Sequence, residues 1–116
     1  YIVVLNHTRG KMRNLNKKVV CVDGFSMSVQ ANESSYCEPR CNNAERYSQV
    51  EIGFPSEVEE LIMPWAEYQL TPTESVYGYV PVERVTEVIV KHGGIVEGEV
   101  PPGVIPVKAL EKDRHK

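Results

Sequence analysis

The Asp-Gly pair at positions 23–24 lies between two β-prone segments, 18–22 and 25–31, and no other feature limits the fold as much. Asp-Gly between such arms is a strong hairpin signal, because a type I′ turn needs positive φ at both central residues. The second arm alternates Phe25, Met27, Val29 and Ala31 with Ser26, Ser28 and Gln30. That period of two buries one face and leaves small polar groups on the other. The chain therefore contains at least one antiparallel ribbon with an apolar side that something else must cover.

Further strands are expected at residues 1–5, where Tyr-Ile-Val-Val-Leu is an unbroken apolar run, at 47–54 before Pro55, and at 76–80. Gly78 inside the last of these signals a bulge or a close backbone approach. Ser56, with Glu59 three residues on, forms a capping-box pattern and predicts a short helix over about 57–63, stopped by Pro64. The main helix is expected over 82–92. Pro81 opens it, Val82, Val85, Val88 and Ile89 line one face, Glu87 and Lys91 pair at i, i+4, and Gly93 caps it. Residues 104–107, beside Pro101, Pro102 and Pro106, suit an edge strand.

Strands mostly follow strands in this order, and helices do not alternate with them. The expected class is therefore α+β: a small antiparallel β-sheet with one main helix (82–92) and a short helix (about 57–63). At 116 residues the chain suits one domain, 1–116, with a basic loop at 7–18 and a frayed tail at 111–116. A chain of this length buries roughly two-thirds of its unfolded surface, enough for a core without staples.

Charge is segregated. Residues 1–22 carry Arg9, Lys11, Arg13, Lys17 and Lys18 and no acid, whereas residues 51–99 carry ten Glu against Arg84 and Lys91. A basic arm beside an acidic body suits an anionic ligand, a nucleic acid or self-association, or else serves solubility alone. No apolar run reaches the ~18–20 residues of a membrane span. The first segment is too short for a signal-peptide core. Cys21, Cys37 and Cys41 then read as reduced thiols of a cytosolic protein. No paired C-x-x-C knuckle is present, so no metal site is expected.

Catalytic patterns are scarce. Nucleophilic catalysis needs a nucleophile, a base and a group that orients the base. The histidines are His7, His92 and His115, and none is placed for that by sequence. His92-Gly93-Gly94 looks like an active-site tag, yet a helix cap accounts for it. Phosphate-cradling glycine motifs are missing. What remains are aromatic and cationic residues on loops and strand ends: Tyr36 and Arg40 in the long loop 32–46, Phe54 at a strand end, and Tyr77 and Tyr79, two residues apart and so expected on one face of their strand. A flat base stacks on Tyr, Phe or a guanidinium, and Arg pairs with phosphate oxygens. Tyr77 and Tyr79 equally suit a half-buried core position with satisfied hydroxyls.

The segments 22–31 (VDGFSMSVQA), 36–40 (YCEPR), 50–56 (VEIGFPS), 76–81 (VYGYVP) and 92–94 (HGG) resemble small phage and prophage proteins of the human-gut and clostridial type. Among phage proteins of known role the chain most resembles the Thoeris anti-defence sponge family, the first of the two described. The resemblance implies a non-enzymatic protein, without a cofactor, in the cytoplasm of the infected bacterial host. It would sequester a cyclic ADP-ribose isomer or a cyclic oligonucleotide and so block a TIR-dependent defence. It further implies a homo-oligomer, dimer or higher, with pockets between protomers, and no membrane or stable DNA binding. The candidate ligand-binding residues, chosen on chemistry, are Tyr36, Arg40, Phe54, Tyr77, Tyr79, Arg84 and Arg114. An alternative is a phage inhibitor that binds a host defence protein directly through its acidic surface.

Overall fold

The computed structural model describes residues 15–109. The strand expected at 1–5, most of the basic loop 7–18, the tail 111–116 and Arg114 lie outside the described residues. Five strands form one antiparallel sheet: β1 (Val19–Cys21), β2 (Ser26–Gln30), β3 (Gln49–Gly53), β4 (Val76–Pro81) and β5 (Ile95–Glu97), in the order β4-β3-β2-β1-β5. The helix α1 (Val82–Lys91) and two 3-10 helices, Glu60–Trp65 and Pro72–Glu74, complete the α+β architecture.

The hairpin forms where the Asp-Gly pair predicts, but with a different turn. Val20 pairs with Ser26, which leaves the three residues Val22, Asp23 and Gly24 in the loop between Cys21 and Phe25. Gly24 has φ +95 while Asp23 stays out of the positive-φ region, and the Gly24 N–H donates to the Cys21 carbonyl at 3.0 Å. This is the longer hairpin in which one left-handed residue suffices. One Asp23 oxygen accepts the Phe25 amide at 2.9 Å, and the other is free to act elsewhere.

The period-two pattern of β2 is kept, with Met27 and Val29 buried. They join Val19, Val50, Ile52, Val80 and Ile62 in a core that takes in Val82, Val85, Val88 and Ile89 of α1, the face read from helical spacing. Gly93 (φ +94) and Gly94 (φ +97) end α1, and the Gly94 N–H returns to the Ile89 carbonyl at 2.9 Å. Lys91 does not pair with Glu87. It reaches Glu59 at 2.8 Å, and Glu87 takes Arg84 at 3.4 Å instead.

The short helix is of the 3-10 type and starts later, at Glu60. Ser56 is unavailable as its cap, because its hydroxyl and amide bond to Ser26 and continue the pairing of β2 with the chain after β3. Glu59 caps instead, its carboxylate accepting the Leu61 amide at 2.9 Å. Past β5, residues 104–107 form no strand; Lys108 makes a parallel bridge to Ile95, and the edge strand is β5 itself. Pro106 has no amide for a ladder, and the Ile105 amide is taken by Thr86 Oγ1 at 3.2 Å.

Candidate ligand-binding groove

β4 carries a bulge. Val80 pairs with Val50 and Tyr77 with Ile52, so Gly78 and Tyr79 together face the single residue Glu51. The extra residue turns consecutive tyrosines to different environments. Tyr77 is 0 % exposed, and its hydroxyl donates to the Pro72 carbonyl at 2.6 Å. Tyr79, at φ +56, is 44 % exposed. The expectation of a shared face is thereby corrected: Tyr77 is a core residue that closes the 72–74 segment, and Tyr79 looks outward.

Tyr79 meets Tyr36. Their ring centroids are 5.9 Å apart and the planes are inclined by 34°. The loop that carries Tyr36 is fixed from below by the buried Cys37 and by Tyr47, whose hydroxyl donates to the Cys41 carbonyl at 2.6 Å. The Tyr36 amide donates to Glu51 Oε1 at 3.1 Å, and its carbonyl accepts the Tyr79 amide at 3.0 Å. Gly78 permits this approach, since a Cβ there would lie 3.1 Å from Tyr36 Cβ. The close backbone approach signalled by Gly78 is therefore present together with the bulge.

Across Gly78 stands Trp65. The chain leaves the first 3-10 helix and runs beside β4, with Ala66 bridging Tyr77 and the Glu67 amide donating to the Val76 carbonyl at 2.9 Å. Tyr36, Trp65, Glu67, Gly78 and Tyr79 line a groove of about 300 Å³. A guanidinium overlies an aromatic ring on each side: Arg40 is 5.5 Å from the Tyr36 centroid, and Arg84 is 5.8 Å from that of Trp65. Cations hold such positions through the ring quadrupole. Two hollows, of about 380 and 400 Å³, lie near Thr86 and in the proline-rich turn, but the first has a single aromatic, Tyr47, and the second has none.

Of the residues singled out by sequence, Tyr36, Arg40, Tyr79 and Arg84 therefore gather around one recess. Phe54 does not line it: exposed at φ +50, it follows β3 and bonds through its amide to Ser75, at the opposite end of β4 from Tyr79. Trp65 and Glu67 belong to the groove and were missed. The one available signal was that Trp65 is the single tryptophan of the chain.

A second polar constellation lies beneath the hairpin. His92, 6 % exposed, sets Nδ1 2.6 Å from Asp23 Oδ2 and Nε2 2.6 Å from Glu59 Oε1. Phe25 stacks on the imidazole at 4.1 Å with 10° between planes. Glu59 is 1 % exposed and also receives Lys91. Burial alone would favour neutral His92, but the two carboxylates outweigh it and raise its pKa above 6.5. Burial likewise pushes Glu59 up, yet hydrogen bonds from Lys91, the Leu61 amide and His92 hold it below 4.5. Asp23 is held below 3.8, first by the Phe25 amide and then by His92. With both ring nitrogens donating, His92 is an imidazolium clamp between hairpin, 3-10 helix and α1, and a helix cap alone does not account for it. Neighbouring Cys21 is pushed up to about 11 by burial, then by Asp23, so its thiol stays protonated.

Among the described residues no group of three or more His, Cys, Asp or Glu is placed to hold a metal ion, and no helix is long and apolar enough to cross a membrane. No protein-family model, curated protein or solved structure matches the chain.

Proposed function

We propose that this protein binds a cyclic signalling nucleotide without transforming it, in the groove of Tyr36, Trp65 and Tyr79. The observation that carries the reading is the pairing of aromatic surfaces with Arg40 and Arg84 at about one side chain's reach. Rings give a base its stacking surface, and guanidinium groups meet phosphate oxygens with charge-assisted hydrogen bonds. The resemblance to the sponge family narrows the ligand to a cyclic ADP-ribose isomer or a cyclic oligonucleotide, and the role to sequestration that silences TIR-dependent anti-phage defence. Sequestration needs tight binding alone; nanomolar affinity corresponds to about −12 kcal/mol.

Size supports a homo-oligomer. A groove of about 300 Å³ is at the lower limit of sites that bury a small ligand, and a second subunit would supply the missing wall. Calorimetry with cyclic ADP-ribose isomers and cyclic dinucleotides tests the reading. Binding is expected, with intact ligand returned from the heat-denatured complex; a hydrolysed ligand, or no heat of binding at micromolar concentrations, contradicts it. Replacing Arg40 by alanine should weaken binding by about 1.5–3 kcal/mol, the usual worth of a charge-assisted hydrogen bond. Unchanged affinity removes Arg40 from the site.

A further inference from the structure

Glu67 is the one charged residue that lines the groove, and among the described residues its carboxylate has no side-chain hydrogen bond or ion pair. Its backbone is nonetheless fixed, because its amide is bonded to β4 at Val76. The nearby cations are engaged elsewhere: Arg84 pairs with Glu87 at 3.4 Å, and Arg40 Nε donates to the Glu33 carbonyl at 3.2 Å. Glu67 thus brings a carboxylate that is unpaired among the described residues to the lining shared by Tyr36, Tyr79 and Trp65, where the preceding proposal stacks a base.

We infer that Glu67 reads the edge of that base and selects guanine. This rests on the groove being a nucleotide site. An ionised carboxylate only accepts hydrogen bonds. Guanine offers two adjacent donors, N1–H and the 2-amino group, spaced for the two oxygens of one carboxylate. Adenine offers a single amino group beside the lone pair of N1, which a carboxylate repels. Hypoxanthine keeps N1–H and lacks the 2-amino group. Of the two ligand classes proposed above, this favours cyclic oligonucleotides that carry guanine over the adenine-bearing cyclic ADP-ribose isomers. Bidentate recognition of a base edge typically discriminates by about ten-fold or more.

Trp65 supplies the readout, as the single tryptophan of the chain and a wall of the groove. Its emission is followed while GMP, IMP and AMP, and then the cyclic dinucleotides of guanine and of adenine, are added to the full chain. GMP is expected to bind at least about ten-fold more tightly than AMP, with IMP between, and the cyclic pair in the same order. Glu67→Ala, at an exposed position, should weaken GMP and relieve the repulsion of AMP, so that the two bind alike. Equal affinity for GMP and AMP in the unaltered protein overturns the inference while nucleotide binding stands. So does a guanine preference that survives Glu67→Ala. Failure of every nucleotide to bind overturns the parent reading and this one with it.

Discussion

Glu59→Ala should lower the unfolding free energy by about 3 kcal/mol or more in urea titrations, the largest effect expected of a single polar side chain here. Glu59 is almost wholly buried and answers three donors: Lys91 Nζ, the Leu61 amide and His92 Nε2. Alanine leaves the imidazolium with Asp23 alone, in a site where an unmatched charge is poorly solvated, and strips the 3-10 helix of its cap. Lys91→Ala is the informative contrast. Lys91 is 48 % exposed, so its ion pair is screened, and its loss should cost under about 1 kcal/mol. Similar losses for the two variants would show that the network is not centred on Glu59.

The same cluster predicts how stability follows pH. The His92 pKa is raised in the folded chain, so its contribution is complete below its ordinary 6.5 and is lost as pH rises through the higher folded value. Asp23 and Glu59 are lowered from 3.8 and 4.5, so their contributions are complete above those values and are lost as pH falls through the folded ones. Stability should therefore reach a plateau between pH 4.5 and 6.5 and decline on both sides. Cys21, pushed up to about 11, is protonated throughout the His92 transition and adds nothing to its alkaline limb. Thermal unfolding across pH 3–9 checks the profile, roughly the range over which these groups titrate. In Asp23→Asn, the alkaline decline should still begin near pH 6.5 but be smaller and end at lower pH, because the imidazolium keeps only one carboxylate. A decline of the same size and end point in that variant would detach it from His92.

How far such features can be read from a sequence depends on the distance over which they act. The valine face of α1 repeats within one turn and was legible, as was the hairpin at Asp23-Gly24. The turn type was not, because Asp23 is drawn into the cluster with His92, 69 residues away. Glu59 and His92 are 33 apart, and no local pattern announces their meeting. Glu59 instead read as the partner of Ser56, a serine that β2 takes through Ser26. In β4 the strict alternation of a regular strand put Tyr77 and Tyr79 on one face. Gly78 marked the bulge, but a glycine does not say which tyrosine it turns outward. The groove itself depends on residues 65–67 running beside β4, a tertiary pairing with no periodicity of its own, so Trp65 and Glu67 went unread while Tyr36, Arg40, Tyr79 and Arg84 stood out by chemistry.

The most direct measurement is the emission of Trp65 during titration with cyclic ADP-ribose isomers and cyclic oligonucleotides, in the unaltered chain and in Tyr36→Ala. A base stacked between these rings should change the emission saturably in the first and weakly or not at all in the second. Tight binding by calorimetry with Trp65 emission unmoved, or an identical response in Tyr36→Ala, would place the ligand elsewhere and contradict the account.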